Sequence, residues 1–154
     1  AQKIFSDTIK DIYLNKCAIT GINTRSLLIG AHIIPWSKNK ERRLDPQNGI
    51  CLSRLMDKCF EDNLISIDEK YKVRIAKRVS DDPKLFEQLK PFIGKKITLP
   101  RDKQQYPDKI CLEYKEKEFI ENDKYYRKLR HPSVDYLICS KTDFQPTSNL
   151  HLIE

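Results

Sequence analysis

Several residue types are scarce in the sequence, which has four glycines, one methionine, one tryptophan and three histidines among 154 residues. No run of ten consecutive apolar residues occurs, which argues against a membrane span or a signal-peptide core. The five cysteines are scattered and none forms a CxxC pair, so we expect no structural zinc. These absences predict a soluble, cytoplasmic protein with no membrane partner.

What is abundant is charge, and it is unbalanced. Twenty-nine Lys and Arg against 22 Asp and Glu give a formal net charge of +7, and 33% of the residues are charged. A basic balance favours an anionic polymer or surface as partner, although a well-solvated chain is the alternative. The length suits one domain. The first residue is Ala1 rather than Met, which leaves open that the chain is a fragment of a larger protein.

Hydrophobic spacing predicts an α+β order of elements. An amphipathic helix is expected over residues 4–13, followed by paired strands within "CAITGINTRSLLIGAHIIPW". A polar, basic loop separates these strands from a helix that begins near Leu52 and carries Met56, Cys59 and Phe60. Further elements are two strands in "LISIDEKYKVRIAK" and helices over 83–89 and 111–129. Cys51 and Cys59 are expected to be small buried apolar residues.

One short segment contains a side chain that could take part in catalysis. The stretch "GAHIIPW" holds His32, the only histidine in the first 130 residues, within an apolar strand. A lone histidine there is usually a satisfied core residue. However, Asn48 follows sixteen positions later and Asp57 nine after that. The imidazole is expected on a strand, the amide at the end of a loop and the carboxylate on a helix. The three groups would lie close together if this unit folds back on itself.

The ordered motifs "CAITG", "AHIIPW", "DPQNGICL" and "LISID" resemble the HNH endonuclease family, in a subgroup with A-H-I-x-P-W and D-P-x-N-G motifs. The resemblance covers residues 5–77, and the ordered set is far more specific than any single piece. It implies a ββα-metal unit with additional flanking helices and short strands. We therefore expect a single nuclease domain over residues 1–154, with its motif core at about 15–77 and a C-terminal extension at about 80–154.

The resemblance also implies roles for individual residues. His32 stands where the family places its general base, and Asn48 matches the asparagine that fixes the loop and orients the imidazole. Neutral imidazole accepts a proton near pH 7. A divalent metal, Mg²⁺ or Mn²⁺, would act as a Lewis acid on the scissile phosphate.

The departures from the family fall on the metal ligands. Many relatives have Asp or His where this chain has Ala31, and His where it has Met56 or Asp57. A thioether is a poor ligand for Mg²⁺, so Met56 is expected in the core. Asp57 is then the predicted metal ligand, against the alternative of a solvated carboxylate. Other acidic residues that we consider are Asp45, Glu61 and Asp62.

Further residues carry weaker signals. Four basic side chains of the loop resemble a phosphate-gripping surface, although a solvated loop is the alternative. These DNA-binding candidates are Lys38, Lys40, Arg42 and Arg43. Trp36 either stacks on a nucleotide or packs the strands onto the helix. His131 and His151 are expected at the surface, and the sequence assigns no role to Lys115, where relatives often have His.

These observations predict a metal-dependent DNA endonuclease, a module of a restriction or defence enzyme. Two alternatives remain open. One is a nuclease-derived DNA-binding or regulatory module that no longer cuts, because its ligand set is thin. The other is a structural interaction domain in which His32 is a core residue. Besides DNA, a second copy of the chain and a recognition domain in a larger chain are the partners considered.

Overall fold

The computed structural model describes residues 1–130, so His131, Cys139 and His151 lie outside the described residues. Within residues 1–130, four α-helices and four strands, joined by short 3-10 turns, confirm the predicted α+β class. In chain order the elements are α1 (Gln2–Ile12), β1 (Leu28–His32), β2 (Gly49–Ser53), α2 (Arg54–Glu61), β3 (Ile65–Ile67), β4 (Val73–Ile75), α3 (Pro83–Leu89) and α4 (Lys109–Arg130). Among the described residues, no helix is both long and apolar enough to span a membrane.

The strand pair that holds His32 differs from the predicted one. β1 pairs antiparallel with β2, with Leu28 opposite Ser53 and His32 opposite Gly49. The expected partner, the apolar segment near residues 17–20, forms a turn and contributes only the N–H of Ala18, which donates to the carbonyl of Cys51. The prediction placed the hairpin too early because apolar content alone does not reveal which strand pairs across a 16-residue loop.

Helix α1 covers this strand pair, and two glycines let it approach closely. A Cβ at Gly30 would lie 2.6 Å from the backbone of Ser6. A Cβ at Gly49 would meet the side chains of Ile9 and Phe5 at 2.4 and 2.8 Å. Because no larger residue fits, α1 buries Phe5 and Ile9 directly against the strands. Phe5 is thereby brought to the end of β1, where His32 lies.

Helix α2 follows β2 without a loop and completes a β–β–α unit. The Ser53 hydroxyl accepts a hydrogen bond from the N–H of Met56 at 3.4 Å and caps the helix. The prediction that Leu52 begins this helix is wrong, since Leu52 belongs to β2 and is fully buried. Met56 and Cys59 are buried in the core, as expected for both. Cys51 is buried as well, which confirms that prediction.

The later elements pack around this unit. β3 and β4 form the predicted antiparallel hairpin, with Ile65 opposite Ile75. α4 lies against β3 and buries Leu112 and Phe119. An ion pair between Arg74 of β4 and Glu116 of α4 joins the two elements. This packing brings the middle of α4 next to α2, although more than 50 residues separate them in the chain.

Candidate active site

A cleft of about 250 Å³ lies where the end of β1, helix α2 and helix α4 meet. Three segments of the chain form its walls. The lining residues are His32, Ile33, Pro35 and Trp36 at the end of β1, Asp57, Phe60 and Glu61 from α2, and Lys115 and Glu118 from α4. Two of the predicted site residues, His32 and Asp57, therefore share one cavity.

The His32 ring is held from three sides at the wall of this cleft. Its face stacks on Phe5, with ring centroids 3.7 Å apart and planes at 13°. Trp36 meets its edge, with centroids 5.5 Å apart. Nε2 lies 2.7 Å from the carbonyl oxygen of Arg43. Since a carbonyl only accepts, Nε2 carries the proton, and the neutral ring keeps its lone pair on Nδ1.

The protonation of His32 suits a base. Partial burial lowers the pKa of the imidazole from its ordinary value, because the imidazolium loses hydration. The hydrogen bond to the Arg43 carbonyl acts in the opposite direction and has the smaller effect. His32 is thus neutral near pH 7 and half-buried at a cleft wall, rather than enclosed in the apolar core.

Asn48 is buried and closes the loop that follows His32. Its Oδ1 accepts from the N–H of Ile34 at 2.8 Å, and its Nδ2 donates to the carbonyls of Ile34 at 3.0 Å and Arg42 at 3.3 Å. The amide therefore holds the backbone one residue before the Arg43 carbonyl that contacts His32. The direct partner of the imidazole is the loop backbone, and the influence of Asn48 on the ring runs through that loop.

Two carboxylates of α2, one helical turn apart, line the same cleft. Burial and the nearby charge of Glu61 raise the pKa of Asp57. Glu61 itself is mostly exposed, with 66% of its side-chain surface accessible. The two other acidic residues considered lie elsewhere. Asp45 caps the turn at 46–48 and pairs with Arg42, and Asp62 pairs with Lys58.

The donors of the cleft fit a divalent cation only in part. Asp57 and Glu61 offer oxygen ligands, which hard cations such as Mg²⁺ prefer. A cation would also offset the burial and the repulsion by Glu61 that raise the pKa of Asp57. However, within residues 1–130 no group of three or more His, Cys, Asp or Glu is arranged to hold a metal ion. Ala31 and Met56 are both buried in the core, so neither position contributes.

The basic loop divides into two kinds of residues. Arg42 forms ion pairs with Asp45 at 2.9 Å and Asp108 at 2.8 Å. Arg43 donates from Nε to the carbonyl of Trp36 at 2.8 Å, and its guanidinium lies 4.8 Å from the centroid of that ring. Both arginines thus hold the loop in place, and Trp36 packs within it.

The two lysines of this loop have a different environment. Lys38 and Lys40 are exposed, and neither side chain makes a hydrogen bond or ion pair with the described part of the chain. The charge of Lys38 acts on Glu118, which places it near the rim of the cleft. The available cations of the basic loop are therefore its lysines.

The sequence did not assign the two residues that α4 contributes. The side chain of Lys115 is only 5% exposed and donates to Asn63 Oδ1 at 3.1 Å and to Glu118 Oε2 at 3.4 Å. Lys115 and Glu118 are three residues apart in α4, which places both on one face of the helix. No local signal shows which other element that face meets, so the sequence could not have placed them beside His32.

A half-buried, neutral histidine at the end of a strand, in a β–β–α unit whose helix supplies carboxylates, is the arrangement expected of a ββα nuclease. The family model of HNH endonucleases matches residues 17–68. This segment belongs to the HNH endonuclease family, as its motifs indicated. Nucleases of this family generally use a divalent metal.

Comparisons with other proteins give fold-level support. No curated protein matches the chain, whereas three chains of solved structures do. One is described as a modification dependent TagI restriction endonuclease, with a TM-score of 0.54 and 17% sequence identity. The match covers 75% of this chain and 37% of that one. The present chain thus spans just over a third of that protein, and at this identity the likeness shows the fold.

Proposed function

We propose that this chain is a metal-dependent DNA endonuclease that hydrolyses phosphodiester bonds and serves in a restriction or defence enzyme. One observation carries the proposal: His32 is neutral, held by the Arg43 carbonyl, and shares a cleft with the carboxylates of Asp57 and Glu61. The HNH family of residues 17–68 and the fold shared with a restriction endonuclease support it.

His32 would activate the attacking water. Its Nε2–H stays bonded to the Arg43 carbonyl, so Nδ1 takes a proton from water as the water oxygen attacks phosphorus. A new P–O bond forms, one ester P–O bond breaks, and the departing alkoxide takes a proton from solvent. Stacking on Phe5 and contact with Trp36 restrict rotation of the ring. General base catalysis of this kind accelerates reactions by about 10² to 10⁴.

The charge balance of the cleft favours a divalent cation as cofactor. Its lining includes three carboxylates, Asp57, Glu61 and Glu118, and one ammonium, Lys115. A phosphodiester would bring a further negative charge. When bound, Mg²⁺ or Mn²⁺ would supply Lewis-acid polarisation of the phosphate. Asp57 is the proposed ligand and Glu61 a second donor, with water and the DNA phosphate as the remaining ligands.

DNA would approach along the loop side of the cleft. Lys38 acts on Glu118 at the cleft, and Lys38 and Lys40 are both exposed and suited to contact phosphates. We propose that residues 1–154 act as one nuclease domain, since α4 from the C-terminal extension supplies Lys115 and Glu118 to the cleft that holds His32.

A second candidate is a DNA-binding module that has lost the capacity to cut. The observation that favours it is the incomplete donor set: within residues 1–130 no cluster of three metal-ligating side chains is present. His32 would then be a remnant of the nuclease site, and DNA binding would persist in the absence of cleavage.

Plasmid cleavage separates the two candidates. The chain is incubated with supercoiled DNA, unmodified and base-modified, with Mg²⁺, Mn²⁺ or EDTA. We expect cutting with a metal and none with EDTA. His32→Ala should lower the rate by roughly 10² to 10⁴. Asp57→Asn should abolish metal-dependent cutting, whereas the matched control Asp62→Asn, outside the cleft, should cut at the parent rate.

The remaining outcomes decide against particular parts of the proposal. A parent chain that binds every DNA and cuts none favours the non-cutting module. A folded His32→Ala variant that cuts at the parent rate excludes His32 as the base. Full activity in Asp57→Asn would place the metal ligand elsewhere, with Glu61 next to test because it lines the same cleft.

A further inference from the structure

Lys115 is a buried cation at the wall of the cleft that holds His32. Only 5% of its side-chain surface is accessible, and it lines the cleft together with His32 and Asp57. Lysine ammonium groups are rarely buried, because they lose hydration that few protein environments replace. A buried lysine at the wall of this cleft therefore needs a physical explanation.

The partners of Lys115 hold its ammonium in place but do not saturate it. Nζ donates to Asn63 Oδ1 at 3.1 Å and, more weakly, to Glu118 Oε2 at 3.4 Å, and it lies 5.2 Å from the Phe60 ring centroid. Asn63 Nδ2 in turn donates to Glu118 at 3.0 Å. An ammonium has three N–H donors, so one is left without a partner among the described residues.

The cluster of Lys115, Asn63 and Glu118 does not need a lysine in order to join α2 to α4. Asn63 and Glu118 already bond to each other and join the end of α2 to α4 without the lysine. An apolar side chain would bridge the same elements without the cost of burying a charge. What only the ammonium adds is a positive charge in a cleft whose other ionised lining groups are the carboxylates Asp57, Glu61 and Glu118.

We propose that Lys115 is a catalytic residue whose ammonium contacts a non-bridging oxygen of the scissile phosphodiester. This inference rests on the proposed nuclease function. The ammonium neither gains nor loses a proton during hydrolysis. It stabilises the negative charge that grows on the phosphate oxygens as water attacks, and its fixed position removes the need to reorganise water at that moment.

The test uses variants that remove the charge in two ways. Lys115→Met keeps the apolar stem, and Lys115→Gln keeps a polar end that can bond to Asn63 and Glu118. Lys109→Met is the matched control, because Lys109 lies on the same helix, is exposed and approaches Tyr71 in a different cleft. Thermal melting first establishes which variants are folded.

Cleavage of plasmid DNA under single-turnover conditions gives the first readout. Losing one preorganised donor to a developing anion costs about 10² to 10³ in rate, and we expect that loss in both Lys115 variants. Lys115→Arg, which restores the charge, should recover part of the activity. The Lys109→Met control should cut at the parent rate. Folded Lys115→Met and Lys115→Gln variants that also cut at the parent rate would overturn the assignment.

A second readout does not depend on cleavage. In EDTA, the logarithm of the affinity for a labelled duplex is measured against the logarithm of the salt concentration. Each phosphate contact contributes about 0.9 to that slope, so Lys115→Gln should reduce it by about 0.9, whereas Lys115→Arg should retain it. An unchanged slope in Lys115→Gln overturns the Lys115 contact.

The two readouts distinguish failure of this inference from failure of the proposed function. If the parent chain cuts no DNA, the nuclease proposal fails, but a reduced slope in Lys115→Gln still supports phosphate contact by Lys115. If the parent cuts and folded Lys115 variants cut equally well, the nuclease proposal stands and the assignment of Lys115 fails.

Discussion

Asn48 allows the sharpest quantitative prediction, because its side chain satisfies three backbone groups. Replacing it with alanine removes the acceptor for the Ile34 N–H and the donors to the carbonyls of Ile34 and Arg42. The two bonds to Ile34 are buried, and the bond to Arg42 is partly buried. Each buried group left without a partner costs about 1–3 kcal/mol.

Summed over two buried groups, with a smaller addition from Arg42, Asn48→Ala should lower the free energy of unfolding by about 2–6 kcal/mol. For a domain of this size that corresponds to a fall in Tm of roughly 10 °C. Asn48→Asp should be destabilised as well, because a carboxylate can accept from the Ile34 N–H but cannot donate to either carbonyl. An asparagine that acted on the chemistry alone would show no such loss.

Urea unfolding measures the effect, with the fluorescence of Trp36, the single tryptophan, as the probe. Trp36 contacts His32 and Arg43, so its emission reports on the loop that Asn48 closes. The matched control is Asn122→Ala, since Asn122 accepts one long bond of 3.4 Å from Arg78. An Asn48→Ala variant within about 0.5 kcal/mol of the parent, well below the cost of one unsatisfied buried group, would refute the network.

The charges of the site lead to three further predictions. Burial lowers the pKa of His32 below the ordinary value of about 6.5, so the cleavage rate should rise with pH and have its midpoint below that value. A profile whose midpoint lies above about pH 7 would contradict this. The lowered pKa also affects stability: the contribution of His32 is complete above the pKa that histidine has in the unfolded chain, and it is lost as pH falls through the pKa of the folded state. Tm measured against pH should therefore show this loss in the parent and not in His32→Ala. Exposed Lys38 and Lys40 should contact phosphates, so replacing both with alanine should reduce the salt slope of DNA affinity by about 1.8. The same change at Lys84 and Lys90, two exposed lysines of α3 and its C-cap, should leave the slope unchanged, and equal slopes in the parent and the Lys38/Lys40 double variant would exclude the loop as a DNA contact.

Much of the nuclease unit could be predicted from the chain because its signals are local. The motifs around His32 and Asn48 lie within a segment of 52 residues that matches the family. The burial of Met56 followed from helical spacing and from the weak affinity of a thioether for hard cations. The helices α1, α3 and α4 could be predicted because each shows its own spacing of apolar residues, without reference to the rest of the chain.

The errors and omissions arose where distant segments meet. Strand β2 was predicted as the start of a helix, because "ICLSRLM" has an apolar pattern that suits either element and only pairing with β1 decides between them. Because residues 33–48 separate the two strands, no short stretch of the sequence contains both of them. For Arg42 and Arg43, contact with phosphate stays a prediction. Their ion pairs, carbonyl contact and stacking within the loop were not foreseen, because these depend on residues that folding brings close.

By itself, the sequence determined the family of residues 17–68, the α+β class and the choice of His32 and Asn48 as candidate site residues, since these depend on residue type and on order along one short segment. Only the tertiary structure decided the environment of the chemistry. The Arg43 carbonyl sets the proton position on the His32 ring, stacking on Phe5 holds that ring, and burial sets the direction of its pKa shift. Packing of α4 against α2 placed the charge of Lys115 in the cleft, because burial and long-range contacts belong to the folded chain and not to any one segment of it.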